Sequence, residues 1–180
     1  MANFKNFAIA LLMFFFPAAA HASLIVDVDA YSNSSTGGTG LATLTLAAGE
    51  HFTSSVAAGD LWNAGALPRW SDADGLTHDL YATGTDDSGQ AAGTLIGQNF
   101  GLWTENGFTA PYGSLVGEIG GVYKVLGTNF DGVAWATGTL YLFYWDSNFG
   151  DNTEHVTVTL SVPEPASLAL VVSGLLAAGW

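Results

Sequence analysis

The chain has 180 residues, no cysteine, 23 glycines against 5 prolines, and 16 acidic residues against 3 lysines and arginines. So acidic a chain has no electrostatic means of holding nucleic acid or an anionic membrane surface, and every reason to attract divalent cations. Without cysteine the fold must rest on a hydrophobic core, with bound metal rather than disulfides as the supplement.

In chain order, Lys5, an apolar run from Phe7 to Phe16, Pro17 and then Ala20-His21-Ala22 have the charge, length and small-residue pattern of a secretory signal peptide, predicting a helical leader over 1–22 and a mature start at Ser23. The apolar run is too short for the ~20 residues that span a bilayer. Removal of this segment leaves Arg69 and Lys124 against all 16 acids, a net charge of −14. The remaining 23–161 is long enough for one domain with its own core.

That body contains no long amphipathic helix. Short alternating runs separated by glycine-rich turns predict an all-β, single-domain antiparallel β-sandwich. Leu24 to Ala30 alternates, Ser32 to Gly40 is a loop, and Leu44 and Leu46 alternate with threonines before Phe52 to Val56. Leu95-Ile96, Leu115-Val116, Val122 to Leu126 and Ala134 to Ala136 supply further strands. Gly93-Thr-Leu-Ile-Gly97 and Gly113-Ser-Leu-Val-Gly117 share a form without matching flanks, as two similar strands do. Asp72-Ala73-Asp74-Gly75 has the opening of an EF-hand loop but neither its third acid nor its closing glutamate, so it reads as a turn.

Thr139 to Val162 is the most informative stretch. Leu140 to Trp145 reads as one strand, and Val156, Val158, Leu160 and Val162 alternating with Thr157, Thr159 and Ser161 read as another. Between them Asp146, Ser147, Asn148, Gly150, Asp151 and Asn152 concentrate hard oxygen donors of the kind Ca²⁺ takes in sets of six to eight. The same residue types are also the ordinary formers of a hairpin turn. The metal reading assigns Ca²⁺ to Asp146, Asn148, Asp151 and Asn152.

Tyr144-Trp145-Asp146, Gly150-Asp151-Asn152 and the alternating strand after them resemble the metal loop of the bacterial calcium-dependent galactose-binding lectins. Gly113 to Gly120 is similar to that family's central strand, and Ala57-Ala58-Gly59 with Trp62 to the turn after its first hairpin. The resemblance implies a galactose-binding, jelly-roll-like sandwich in which Ca²⁺ ligates sugar hydroxyls. It makes Asp146, Asn152, Asp72 and Asp74 sugar-binding candidates, and Trp145 beside the loop offers an indole for stacking. The pattern departs at Trp145, where the family has Asn, and at Thr153-Glu154, where it has Ser-Gly. Thr77 to Pro111 stands as an insertion, expected to form an added hairpin or a lid.

At the other end, Val162-Pro163-Glu164-Pro165-Ala166 precedes an apolar run from Leu168 to Trp180. This resembles the Pro-Glu-Pro sorting signal of Gram-negative bacteria, which implies exosortase as a processing partner, an apolar helix as transient membrane anchor over 162–180, and a destination at the cell surface, outer membrane or extracellular matrix. That signal ordinarily adds arginines after the apolar run, and none is present here. Nucleophilic and zinc chemistry lack their motifs. The function expected is therefore calcium-dependent binding of an extracellular polysaccharide or galactose-like glycan. A structural matrix protein stiffened by calcium is the alternative, and a glycan hydrolase a remote one.

Overall fold

The computed structural model describes residues 21–163; the predicted leader up to residue 20 and the predicted apolar helix after Pro163 lie outside them. Fourteen strands follow one another: β1 His21–Asp29, β2 Leu41–Leu46, β3 His51–Val56, β4 Trp62–Asn63, β5 Trp70–Ser71, β6 Leu80–Tyr81, β7 Leu95–Gly97, β8 Leu102–Glu105, β9 Phe108–Pro111, β10 Leu115–Ile119, β11 Val122–Val125, β12 Asn129–Val133, β13 Gly138–Tyr144 and β14 His155–Pro163. Two four-stranded antiparallel sheets form the body, one ordered β1-β14-β3-β12 and the other β11-β10-β13-β2. This is the expected all-β sandwich.

Its core follows from the period-2 patterns. On β14 the side chains of Val156, Val158 and Leu160 are fully buried while the intervening Thr157 and Thr159 are only partly so. They meet Val28 of β1, Phe52 of β3, and Leu115, Leu140 and Leu142 of the opposite sheet in one apolar cluster. Each such aliphatic contributes roughly 1.5–3 kcal/mol by leaving water. The strand expected at Ala134–Ala136 instead lies just before it in the chain, at Asn129–Val133. As the edge of its sheet this strand pairs only with β3, so it tolerates the Asp131 and Gly132 that hide it from a hydrophobicity reading.

β1 and β14 pair over nine rungs, from His21↔Pro163 to Asp29↔His155. The expected boundaries of the domain, Ser23 and Ser161, form one rung of this ladder. The loop before His155 and the two ends of the described chain therefore lie at opposite ends of the ribbon.

Residues 77–111 form two small ribbons, β6 with β7 and β8 with β9. The β8–β9 turn is Asn106-Gly107, both at positive φ (51° and 77°), the backbone that a two-residue hairpin turn requires and that Asn-Gly adopts most readily. This hairpin lays Trp103, Phe108 and Ala110 over Val116, Tyr123 and Trp145 as a separate apolar cluster. The two Gly-x-Leu-x-Gly motifs have different fates: Leu95–Gly97 is half of a ribbon, whereas Leu115–Ile119 is a central strand.

Candidate functional site

The loop between β13 and β14 is held by main-chain bonds from two distant segments. Tyr144 N donates to Asn33 O at 2.9 Å, Ser35 N to Tyr144 O at 2.8 Å and Trp145 N to Ser114 O at 3.0 Å. The Ser35 hydroxyl clasps Asp146 on both sides of its peptide unit, donating to its carbonyl at 3.0 Å and accepting from its N–H at 3.1 Å. Asn148 then caps a single 3₁₀ turn, Phe149–Asp151; its Oδ1 accepts from Gly150 N at 3.2 Å and its Nδ2 donates to Asp151 Oδ1 at 2.8 Å. Asn152 turns inward and its Nδ2 donates to Ala30 O at 3.0 Å. Thr153 pairs in both directions with Asn63 of β4.

The chain re-enters β14 through Glu154 at φ 68°. The left-handed region is sterically costly for any residue with a Cβ, and this is the position at which the lectin pattern has glycine. Replacing Glu154 with Gly is expected to raise the unfolding free energy by about 0.5–1 kcal/mol, the relief of strain exceeding the added unfolded-state entropy. A urea denaturation midpoint that stays the same or falls would contradict this.

Inside the loop the charges are poorly compensated. Asp146 is 4% exposed, and burial pushes its carboxyl above the usual carboxylate range; hydrogen bonds from Ser147, Asn152 and Asn148 oppose this and the charge of Asp151 adds to it. Ser147 N supplies one of those bonds at 2.7 Å. Asn152, also 4% exposed, has a buried Oδ1 with no hydrogen-bond partner, and so does the hydroxyl of the fully buried Tyr144. Burial, followed by the charges of Asp146 and Asp151, pushes the Tyr144 hydroxyl well above its ordinary value. Asp151 reaches Arg69 Nη1 only at 3.7 Å, with both side chains more than a third exposed, an arrangement that contributes little stability. Opposite, Gly65 sits at φ 109°, and a Cβ there would collide with the Asp151 carboxylate. Glycine at this position lets the 63–69 loop close against the site.

Among the described residues no group of three or more His, Cys, Asp or Glu converges. What the loop holds is a mixed oxygen set, the carboxylates of Asp146 and Asp151 and the Asn152 amide oxygen, which has no donor. A buried polar atom left unpaired costs about 1–3 kcal/mol. An orphaned amide oxygen beside a buried carboxylate fits a hard cation with oxygen ligands and does not fit zinc or copper. Asn148 has a different position from that expected of a ligand: it is exposed, its oxygen is engaged in the cap, and its amide braces Asp151.

The sugar-contact expectations divide. Asp146 and Asn152 are together in the loop. Trp145 is a core residue, fully buried between Ala110, Val116 and the β8–β9 hairpin, with its indole N–H donating to Trp103 O at 3.0 Å; such a ring has no face for a pyranose. Trp62 is equally buried, edge-on to Tyr144 at 4.5 Å. Asp74 is spent on Thr128, whose N–H and hydroxyl both donate to it, and Asp72 accepts from Asp74 N at 2.9 Å. These bonds fasten the 72–75 turn to the chain before β12, and neither carboxylate hydrogen-bonds to the 146–152 loop. Ser35, Arg69 and the Tyr31–Phe149 pair, with rings edge-on at 5.0 Å, belong to the site without any sequence pattern to announce them. The one usable signal is that Arg69 and Lys124 are the only lysine or arginine residues in the described chain.

The class defined by this fold and loop is thus an all-β antiparallel sandwich carrying an oxygen-lined loop at one end of its β1–β14 ribbon. No protein-family model and no curated protein matches the chain. Among solved structures it is similar to the EclA N-terminal domain, a PllA-like lectin, with 23% identity, a TM-score of 0.47, and coverage of 78% of this chain and 95% of that one.

Proposed function

We propose that this is an exported, calcium-dependent carbohydrate-binding protein of the cell surface or exopolysaccharide matrix of a Gram-negative bacterium. The observation that carries the metal half is the buried Asp146 carboxylate in the same loop as the unpartnered Asn152 Oδ1, with the charge of a second carboxylate, Asp151, acting on Asp146. Asp146, Asp151 and Asn152 are the ligands of this reading, with Asn148 as the brace of Asp151. When bound, Ca²⁺ would supply open coordination positions for adjacent hydroxyls of a sugar. The protein's own part is to hold the loop rigid through Ser35, Ala30 and Asn63 and to present Asp151 at the surface.

The carbohydrate half rests on the resemblance of Asp146, Gly150-Asp151-Asn152 and the following strand to the galactose-binding lectin loop. Export and exosortase processing rest on the two terminal sequence signals.

The test is retention on immobilised galactosides and on the producer's exopolysaccharide, with and without Ca²⁺, for the wild type and Asp151→Ala. Calcium-dependent retention lost in the variant is the expected result. The burial of Trp62 and Trp145 favours a second reading, a matrix protein in which calcium only stabilises the loop. Calcium stabilisation without retention on any glycan would establish that reading instead.

A further inference from the structure

We infer that Arg69 is a specificity-determining residue that selects a glycan bearing a carboxylate, a uronic acid rather than a neutral hexose, at the calcium loop. This deepens the carbohydrate-binding reading and rests on it. Arg69 lies beside the loop because β4 and β5 are joined by the 64–69 turn that closes against Asp151. Its guanidinium carbon sits 4.7 Å above the ring of Phe100, which is 46% exposed and is itself held edge-on by Tyr112 at 5.1 Å. Phe100 comes from the 77–111 insertion, so the insertion contributes an aromatic seat for a cation.

A guanidinium stacked in this way is pre-oriented, and its edge remains free. Both its polar contacts use Nη1: Ala64 O at a long 3.4 Å and Asp151 Oδ2 at 3.7 Å, beyond ordinary hydrogen-bond range. The N–H groups on Nε and Nη2 have no protein acceptor among the described residues. Asp151, the one anion paired with Arg69 among the described residues, would be drawn to a bound metal, and Arg69 would then stand near a second positive charge. In a chain of net charge −13 this makes a local positive site, and the ligand it favours brings its own anion. A carboxylate can take two N–H groups of the guanidinium at once, while the ring hydroxyls reach the metal.

The experiment compares methyl α-galacturonide with methyl α-galactoside, monomers chosen because they do not sequester calcium as a polymer would. Binding is measured at one fixed free Ca²⁺ concentration for the full chain and for Arg69→Gln and Arg69→Lys. The wild type should prefer the uronide by about fivefold, the upper range for a partly exposed ion pair. Arg69→Gln should bring the ratio to about one through loss of affinity for the uronide, and Arg69→Lys should retain part of the preference. The thermal shift on adding Ca²⁺ should persist in Arg69→Gln, which separates lost selectivity from a damaged loop. Equal affinities in the wild type, or a preference that survives Arg69→Gln, would overturn the inference and leave calcium-dependent sugar binding intact. Calcium-dependent binding of neither sugar nor exopolysaccharide would remove the carbohydrate reading, and this inference with it.

Discussion

Metal-depleted protein should gain about 5–10 °C in melting temperature on addition of Ca²⁺ to a hundredfold excess over Kd. A ligand that binds only the folded state adds about 2.7 kcal/mol at that excess, and for a domain of this size each kcal/mol is worth about 2–4 °C. Asp146→Asn separates this from a general ionic effect, because the variant should change sign with conditions. In chelator at neutral pH it should be at least as stable as the wild type, since it removes a buried charge whose ionisation burial opposes. In Ca²⁺ it should be less stable than the wild type, since a ligand charge is gone. The pH dependence follows from the same group. Its folded carboxyl is raised above its unfolded value near 3.8, so the folded state holds the proton more tightly. Stability without metal therefore falls as pH rises from about 3.8 through the raised folded value, and the full penalty is present above it. Asp60 and Asp72, both raised first by burial, act in the same direction. Added Ca²⁺ should flatten this fall, because the metal stabilises the ionised form of Asp146. A melting temperature indifferent to Ca²⁺, or an Asp146→Asn variant weaker than wild type in chelator, would rule the site out.

Trp145→Ala should be the most damaging single substitution next to the loop, lowering the unfolding free energy by about 3–5 kcal/mol, the range for truncating a buried aromatic. The indole fills the space under the β8–β9 hairpin, edge-on to Phe108 at 5.3 Å and tilted against Tyr123 at 5.6 Å, and its loss also strands the Trp103 carbonyl. Trp145→Phe keeps much of the volume and should lose substantially less. Chemical denaturation of both variants checks this, and Trp145→Phe should retain its calcium response. A stable Trp145→Ala protein that had lost only glycan binding would restore Trp145 as a sugar contact and contradict the packing described here.

How far the sequence could be read depended on whether the cause was local. The alternation through β14 is a property of consecutive residues, and Val156, Val158 and Leu160 are buried as it requires. The oxygen-rich run from Asp146 to Asn152 is likewise a loop in both readings. Asn148 shows the limit: its residue type announced an oxygen ligand, but its cap to Gly150 and its bond to Asp151 engage that side chain in the turn. Trp145 shows a different limit. It follows directly on β13, and a loop-edge indole is exposed unless something covers it; what covers it is a hairpin some forty residues upstream in the chain.

The sequence alone therefore determined the all-β class, the principal core strands and the position of the acidic loop, because period-2 burial and turn chemistry act between near neighbours. Only the tertiary structure decided which polar atoms of that loop are buried without partners and which cation stands beside it. Asn152 meets Ala30 across 122 positions, Ser35 meets Asp146 across 111, and Arg69 comes to Asp151 only after β4 has paired with the chain at Thr153. Such contacts are consequences of sheet order and strand pairing, and no pattern confined to one segment of the chain encodes them.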